Sequence, residues 1–89
     1  MQDELAADVA RVLAALLEHK AWFRHGLTDA RLCEVTGLTL NQVVAARREA
    51  HLNGLVERRG AGTGQAITML TPRGVAVAQK LNPPVQSSD

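Results

Sequence analysis

Apolar positions near the start of the chain recur at helical spacing. Leu5, Val9, Val12, Leu13, Leu16 and Leu17 fall at i, i+4, i+7, i+8, i+11 and i+12, a stripe along one helix face. Asp3 and Glu4 sit in the first turn, where negative charge suits the positive end of the helix dipole. Ala6, Ala7, Ala10, Ala14 and Ala15 add propensity and permit close packing. The spacing predicts an end between Lys20 and Arg24, with Gly26 beyond it. Trp22 and Phe23 close this helix as core or as a dimer contact.

Two shorter helices follow. Thr28 is the expected N-cap of a helix from Asp29 to Thr36, with Leu27 and Leu32 at the spacing of a hydrophobic staple. Gly37 supplies a left-handed residue to end it. Thr39-Leu40-Asn41-Gln42 reads as a capping box, with Leu38 and Val43 as a second staple. The third helix then runs to about Asn53, and Gly54 follows it. Two capped helices separated by Gly37, Leu38 and Thr39 make a helix-turn-helix layout.

Beyond Gly54, Leu55 to Arg59 and Gln65 to Leu70 read as two strands of a hairpin, with Ile67 and Met69 on one face. Gly60 to Gly64 form its glycine-rich tip. Thr71-Pro72 starts a last helix, with Thr as N-cap and Pro in the first helical position. Val75, Ala78 and Leu81 give that helix an apolar stripe. Asn82-Pro83-Pro84 stops it, so residues 1–82 are expected to form one domain and residues 83–89 a disordered tail.

Composition narrows the function classes. The 89 residues hold one modest core, built from Leu, Val and Ala because Trp22 and Phe23 are the only aromatics. A chain this small has little space for a catalytic cleft, and no Ser/His/Asp grouping or carboxylate pair stands out, so a binding module rather than an enzyme is expected. The single Cys33 closes no internal disulfide, which suits a reducing cytoplasm. No apolar run reaches the roughly 20 residues of a membrane span. His19, His25, Cys33 and His51 match no zinc spacing, and the Gly60–Gln65 stretch lacks the Lys of a phosphate loop. No metal or cofactor is expected. The net charge of +1 is unevenly spread: the first helix is acidic, while Arg47, Arg48, Arg58, Arg59 and Arg73 make the second half basic. That polarity suits a protein presenting one face to a polyanion.

The order helix, helix, turn, helix, hairpin, helix resembles a winged helix-turn-helix domain. The resemblance covers Leu27 to Leu81 and rests on Gly26-Leu27-Thr28-Asp29, Thr36-Gly37-Leu38-Thr39, Ala46-Arg47-Arg48-Glu49 with Gly54-Leu55-Val56-Glu57, and Leu70-Thr71-Pro72-Arg73-Gly74. The Gly54-Leu55-Val56 exit and the Leu70-Thr71-Pro72-Arg73-Gly74 start are similar to MarR-like regulators, and the spacing of Gly26-Leu27-Thr28-Asp29 and of Ala46-Arg47-Arg48-Glu49 with Gly54-Leu55-Val56-Glu57 also resembles small winged-helix proteins of actinobacterial phages. The implied fold is α+β: three helices, a two-stranded β-hairpin wing and a short C-terminal helix. The sequence departs from the pattern at Ala50, where such domains usually carry Leu, and in the absence of the long flanking helices by which MarR proteins dimerise.

The resemblance selects the third helix for base reading. With Leu40 as origin and about 100° per residue, Val43, Val44, Arg47 and Ala50 fall on the side taken as buried. Asn41, Gln42, Ala45, Arg48 and Glu49 then face outward, beside Thr39 at the helix start. Arg pairs with guanine, Asn or Gln with adenine, and a small Ala permits close approach. Arg58, Arg59, Gly60, Gly62, Thr63 and Gly64 form the expected wing contact to the DNA backbone. Thr28, Arg47 and Arg73 are further candidates, although the Arg47 head is equally suited to pairing with an acid such as Glu34. The expected function is sequence-specific binding of double-stranded DNA by a small transcriptional regulator, or a phage or plasmid replication regulator, acting as a homodimer. The alternative is a winged-helix protein-interaction module, an inhibitor or adaptor with a protein partner and no DNA.

Overall fold

The computed structural model describes residues 6–22, 25–60 and 66–81. Helix α1, Ala7–Glu18, buries Val9, Val12, Leu13, Ala15 and Leu16. The predicted stripe is therefore the core face, with Leu17 partly buried against it and Leu5 outside the described residues. The helix stops before Lys20, earlier than its spacing suggested. Lys20 takes φ +54°, its N–H donates to the Leu17 carbonyl, and the Ala21 N–H donates to that of Leu16 at 2.8 Å. These paired bonds make a Schellman stop built on a lysine instead of a glycine. Ala21 is buried, so packing of the residue after the cap holds the stop that local propensity does not favour. Trp22 lies beyond the helix, half-buried against the core and bridged to Leu70. Phe23 lies outside the described residues.

Strand β1, Leu27–Thr28, leads into helix α2, Asp29–Thr36. The Thr28 hydroxyl accepts from the Arg31 N–H, and Gly37 ends the helix at φ +78°. Buried Thr36 secures the turn from inside: its hydroxyl donates to the Leu32 carbonyl at 2.6 Å and accepts from the Leu38 N–H. Helix α3, Leu40–Leu52, opens on the full capping box between Thr39 and Gln42. Leu38 and Val43, the expected staple, are both buried. Gly54 follows with a positive φ.

Strands β2, Val56–Arg59, and β3, Ile67–Leu70, form the expected hairpin. The sheet has three strands instead of two, in the order β1-β3-β2, because Leu27 and Thr28 pair with Thr68 and Ile67. A two-residue strand carries no readable alternation. It makes β3 central; Thr68, Met69 and Leu70 are all buried, and Ile67 and Met69 share one face, paired with Arg59 and Glu57.

Helix α4, Pro72–Leu81, starts where Thr71-Pro72 predicted. The Thr71 hydroxyl accepts from the Gly74 N–H and donates to the Gly54 carbonyl, tying this start to the end of α3. Gly74 is buried, and a Cβ there would lie 1.8 Å from the Leu55 carbonyl oxygen. Helix α1 packs against α2, α3 and α4, and its leucines and valines form the centre of one core. Of the predicted α4 stripe, Ala78 is buried and Val75 half-buried, but Leu81 is 44% exposed.

Candidate nucleic-acid interface

The phase of α3 determines what it presents. Its buried line is Val43, Ala46 and Ala50. The sequence reading placed Leu40 at the centre of that side; it is instead 55% exposed. Leu38, one residue before the cap, fills the core in its place. Ala46 and Ala50 let α3 lie close to α1, so small residues, not the leucine at its first turn, set its rotation. The face opposite this line carries Asn41, Ala45 and Arg48, all exposed, with Gln42 and Glu49 toward its edge.

Two of the expected contact residues are committed to the cap. The Thr39 hydroxyl accepts from the Gln42 N–H, and the Gln42 Oε1 accepts from the Thr39 N–H at 2.9 Å. Thr28 is similarly engaged at the start of α2. Asn41, Ala45 and Arg48 lie within about two and a half turns of this anchored N-terminus, so the cap fixes the first part of the face they share.

Arg47 points away from that face. Its Nε and Nη2 donate to the Asp29 carboxylate at 2.9 and 3.2 Å. The pair is largely covered, with side chains 11% and 22% exposed. The expected type of partner is therefore present, but it is Asp29 and not Glu34, which pairs with Arg31 on its own helix. Arg58 of β2 approaches the same carboxylate, with Nη2 3.8 Å from Oδ2. One acid at the start of α2 thus links α3 to the hairpin. Sequence spacing offered one signal for it: a first-turn acid directly after the Thr28 cap.

Between α3 and the sheet lies a cleft of about 330 Å³, lined by Arg47, Arg48, His51, Leu52, Val56, Arg58 and Thr68. His51 Nδ1 is 3.2 Å from the Val56 carbonyl oxygen. That oxygen only accepts, so Nδ1 carries the proton. The alternation of β2 separates the two wing arginines. Arg58 faces this cleft, whereas Arg59 lies on the opposite face of the sheet with Trp22, Met69, Pro72 and Val75, its Nε 3.9 Å from Glu57. Gly60 turns out of the strand at φ +78°; Gly62, Thr63 and Gly64 fall outside the described residues. Arg73 is exposed in the first turn of α4, beside Gly54 and not in the cleft. Among the described residues no group of His, Cys, Asp and Glu is placed to hold a metal ion, and no helix is long and apolar enough to cross a membrane.

No protein-family model matches the chain, and no curated protein matches it in sequence. Solved structures do match its fold. MepR of Staphylococcus aureus, a transcription regulator of the multidrug efflux pump MepA, superposes with a TM-score of 0.74 at 18% identity, over 88% of this chain and 56% of MepR. A mutant of ZitR from Lactococcus lactis gives 0.72 at 21% identity, over 90% of this chain and 52% of ZitR. A MarR-family transcriptional regulator of Silicibacter pomeroyi gives 0.68 at 22% identity, over 85% of this chain and 51% of that protein. The chain spans about half the length of these regulators. Four helices in this order, with a three-stranded antiparallel sheet, give it the α+β winged helix-turn-helix fold of MarR-like regulators.

Proposed function

We propose that the chain binds double-stranded DNA as a small transcription regulator, with α3 in the major groove and the hairpin on the flanking backbone. The observation that carries this reading is the α3 face itself. Asn41, Ala45 and Arg48 stand exposed together, while Arg58 lines the adjoining cleft. Such a face offers a bidentate donor for guanine, an amide for adenine and a small residue that permits close approach. The cleft between α3 and β2 offers Arg48 and Arg58 to a backbone phosphate. Its third arginine, Arg47, already shares its charge with Asp29. The transcription regulators with the same fold support a non-enzymatic, DNA-directed role. A DNA-directed role fits the cytoplasm of a bacterium, or the service of its phage or plasmid. Two copies on adjacent half-sites read more base pairs than one, so a homodimer is the expected functional unit.

A protein-interaction module is the second reading, favoured by Leu52, which is 85% exposed at the end of α3. Titration of the full chain into random-sequence duplex DNA over a salt series separates the two. DNA binding through arginines predicts an affinity that falls steeply with salt, by a slope near 0.9 per phosphate contact. No binding at low salt refutes the DNA reading and favours a protein partner.

A further inference from the structure

The outward side of α3 is more apolar than a solvated helix face requires. The described residues include three large apolar side chains that are prominently exposed, and two of them, Leu40 and Leu52, lie on this one helix. Leu40, Val44 and Ala45 alternate with Asn41 and Arg48 along a single ribbon. At about 100° per residue Leu40 and Val44 flank Asn41 and Arg48 on one side, and Ala45 flanks them on the other. Leu40 is 55% exposed in the first turn, Val44 is half-buried and Ala45 exposed. No core contact explains Leu40, since Leu38 and Val43 fill the core on either side of it.

Resting on the DNA-binding reading above, we propose that Leu40 and Val44 are specificity residues that read thymine by its C5-methyl group. The chemistry fits the position. In the major groove thymine offers one acceptor and one methyl, and only the methyl calls for an apolar partner. Residues in the first turns of such a helix are those that reach base edges, and Leu40 and Val44 occupy the first and second turns. The surrounding charge favours nucleic acid over an apolar protein ridge. Arg48 stands on the ribbon itself, Arg58 lines the adjoining cleft, and the N-terminal end of the α3 dipole lies beside Leu40. Asn41 and Arg48 then supply hydrogen bonds to adenine and guanine while Leu40 and Val44 supply the thymine contact. A site rich in thymine opposite the start of α3 is the consequence.

The test takes the tightest-binding duplex recovered from a randomised pool and replaces its thymines by uracil, one position at a time. Uracil keeps the pairing and the acceptor and removes only the methyl. The wild-type chain should lose affinity roughly fourfold at each contacted methyl, the equivalent of one buried methylene, at one or two positions. Leu40→Ala and Val44→Ala should each erase the thymine-to-uracil difference at one of those positions. Leu40 is exposed and leaves the Thr39–Gln42 cap intact, so its variant folds. Equal affinity for thymine and uracil duplexes overturns this assignment and leaves DNA binding standing. A methyl preference that survives both substitutions also overturns it. Failure to bind any duplex overturns the DNA-binding reading, and this one with it.

Discussion

The Asp29–Arg47 clamp allows a structural role and a DNA-binding role to be told apart by sign. Arg47→Met keeps the aliphatic stem and removes the charge, leaving Asp29 with Arg58 3.8 Å away. A fully buried pair broken on one side costs about 3–5 kcal/mol, and an exposed pair costs about 0–1 kcal/mol. With side chains 11% and 22% exposed and two bonds of 2.9 and 3.2 Å, this pair lies between them, at about 2 kcal/mol. For a domain of this size that lowers the melting temperature by roughly 10 °C. Asp29→Asn should cost a similar amount, because it also removes a first-turn acid from α2. The two variants should differ on DNA. Arg47→Met leaves the Asp29 carboxylate to Arg58 alone and should weaken all duplexes alike, by less than Arg48→Ala costs on a selected one. Asp29→Asn releases Arg47 and Arg58 together and should tighten binding to any duplex, steepening the salt slope by roughly one unit. Thermal melts and salt-dependent titrations of both variants check this. A melt of Arg47→Met within about 0.5 kcal/mol of wild type, the range of an ordinary surface substitution, refutes the clamp. An affinity loss in Arg47→Met as large as in Arg48→Ala shows instead that Arg47 grips DNA.

Two further predictions concern the fold. Gly74→Ala places a Cβ 1.8 Å from the Leu55 carbonyl oxygen, so α4 must move away from the end of α3; thermal melting should show a loss of about 2 kcal/mol or more, and an unchanged melt contradicts the close packing. Lys20→Gly relieves a left-handed residue at φ +54° and should raise stability by about 1 kcal/mol in denaturant titration; a loss of stability contradicts the Schellman stop.

Legibility in the sequence followed the range of the signal. Thr28, Gly37, the Thr39–Gln42 box and Thr71-Pro72 act within four residues, and each stands where its chemistry placed it. The end of α1 did not, because its stop depends on burial of Ala21 and a Lys20 conformation that no local preference supplies. Strand β1 was invisible because two residues carry no period and its partner, β3, lies about 40 residues away along the chain. In the candidate interface, the outward set on α3 was readable from helical geometry even though Leu40 was assigned to the wrong side. Leu40 is exposed because Ala46 and Ala50, by their small size, turn the Val43–Ala50 line and not the first-turn leucine onto α1. Asp29 as the partner of Arg47, and the separation of Arg58 from Arg59 across the sheet, needed the tertiary arrangement.

The central claim is that α3 reads bases through its outward face while the arginine on the cleft wall of β2 grips the backbone. Competition titrations of Arg48→Ala and Arg58→Ala against a selected duplex and its scrambled counterpart, at several salt concentrations, test it most directly. Arg48→Ala should lower affinity for the selected duplex by roughly 1–3 kcal/mol and relax the preference at one base pair. Arg58→Ala should weaken both duplexes alike and lower the salt slope by about one. A selected-to-scrambled ratio unchanged by Arg48→Ala contradicts base reading through this face. If neither variant alters DNA binding, the account of this surface as a nucleic-acid interface is wrong.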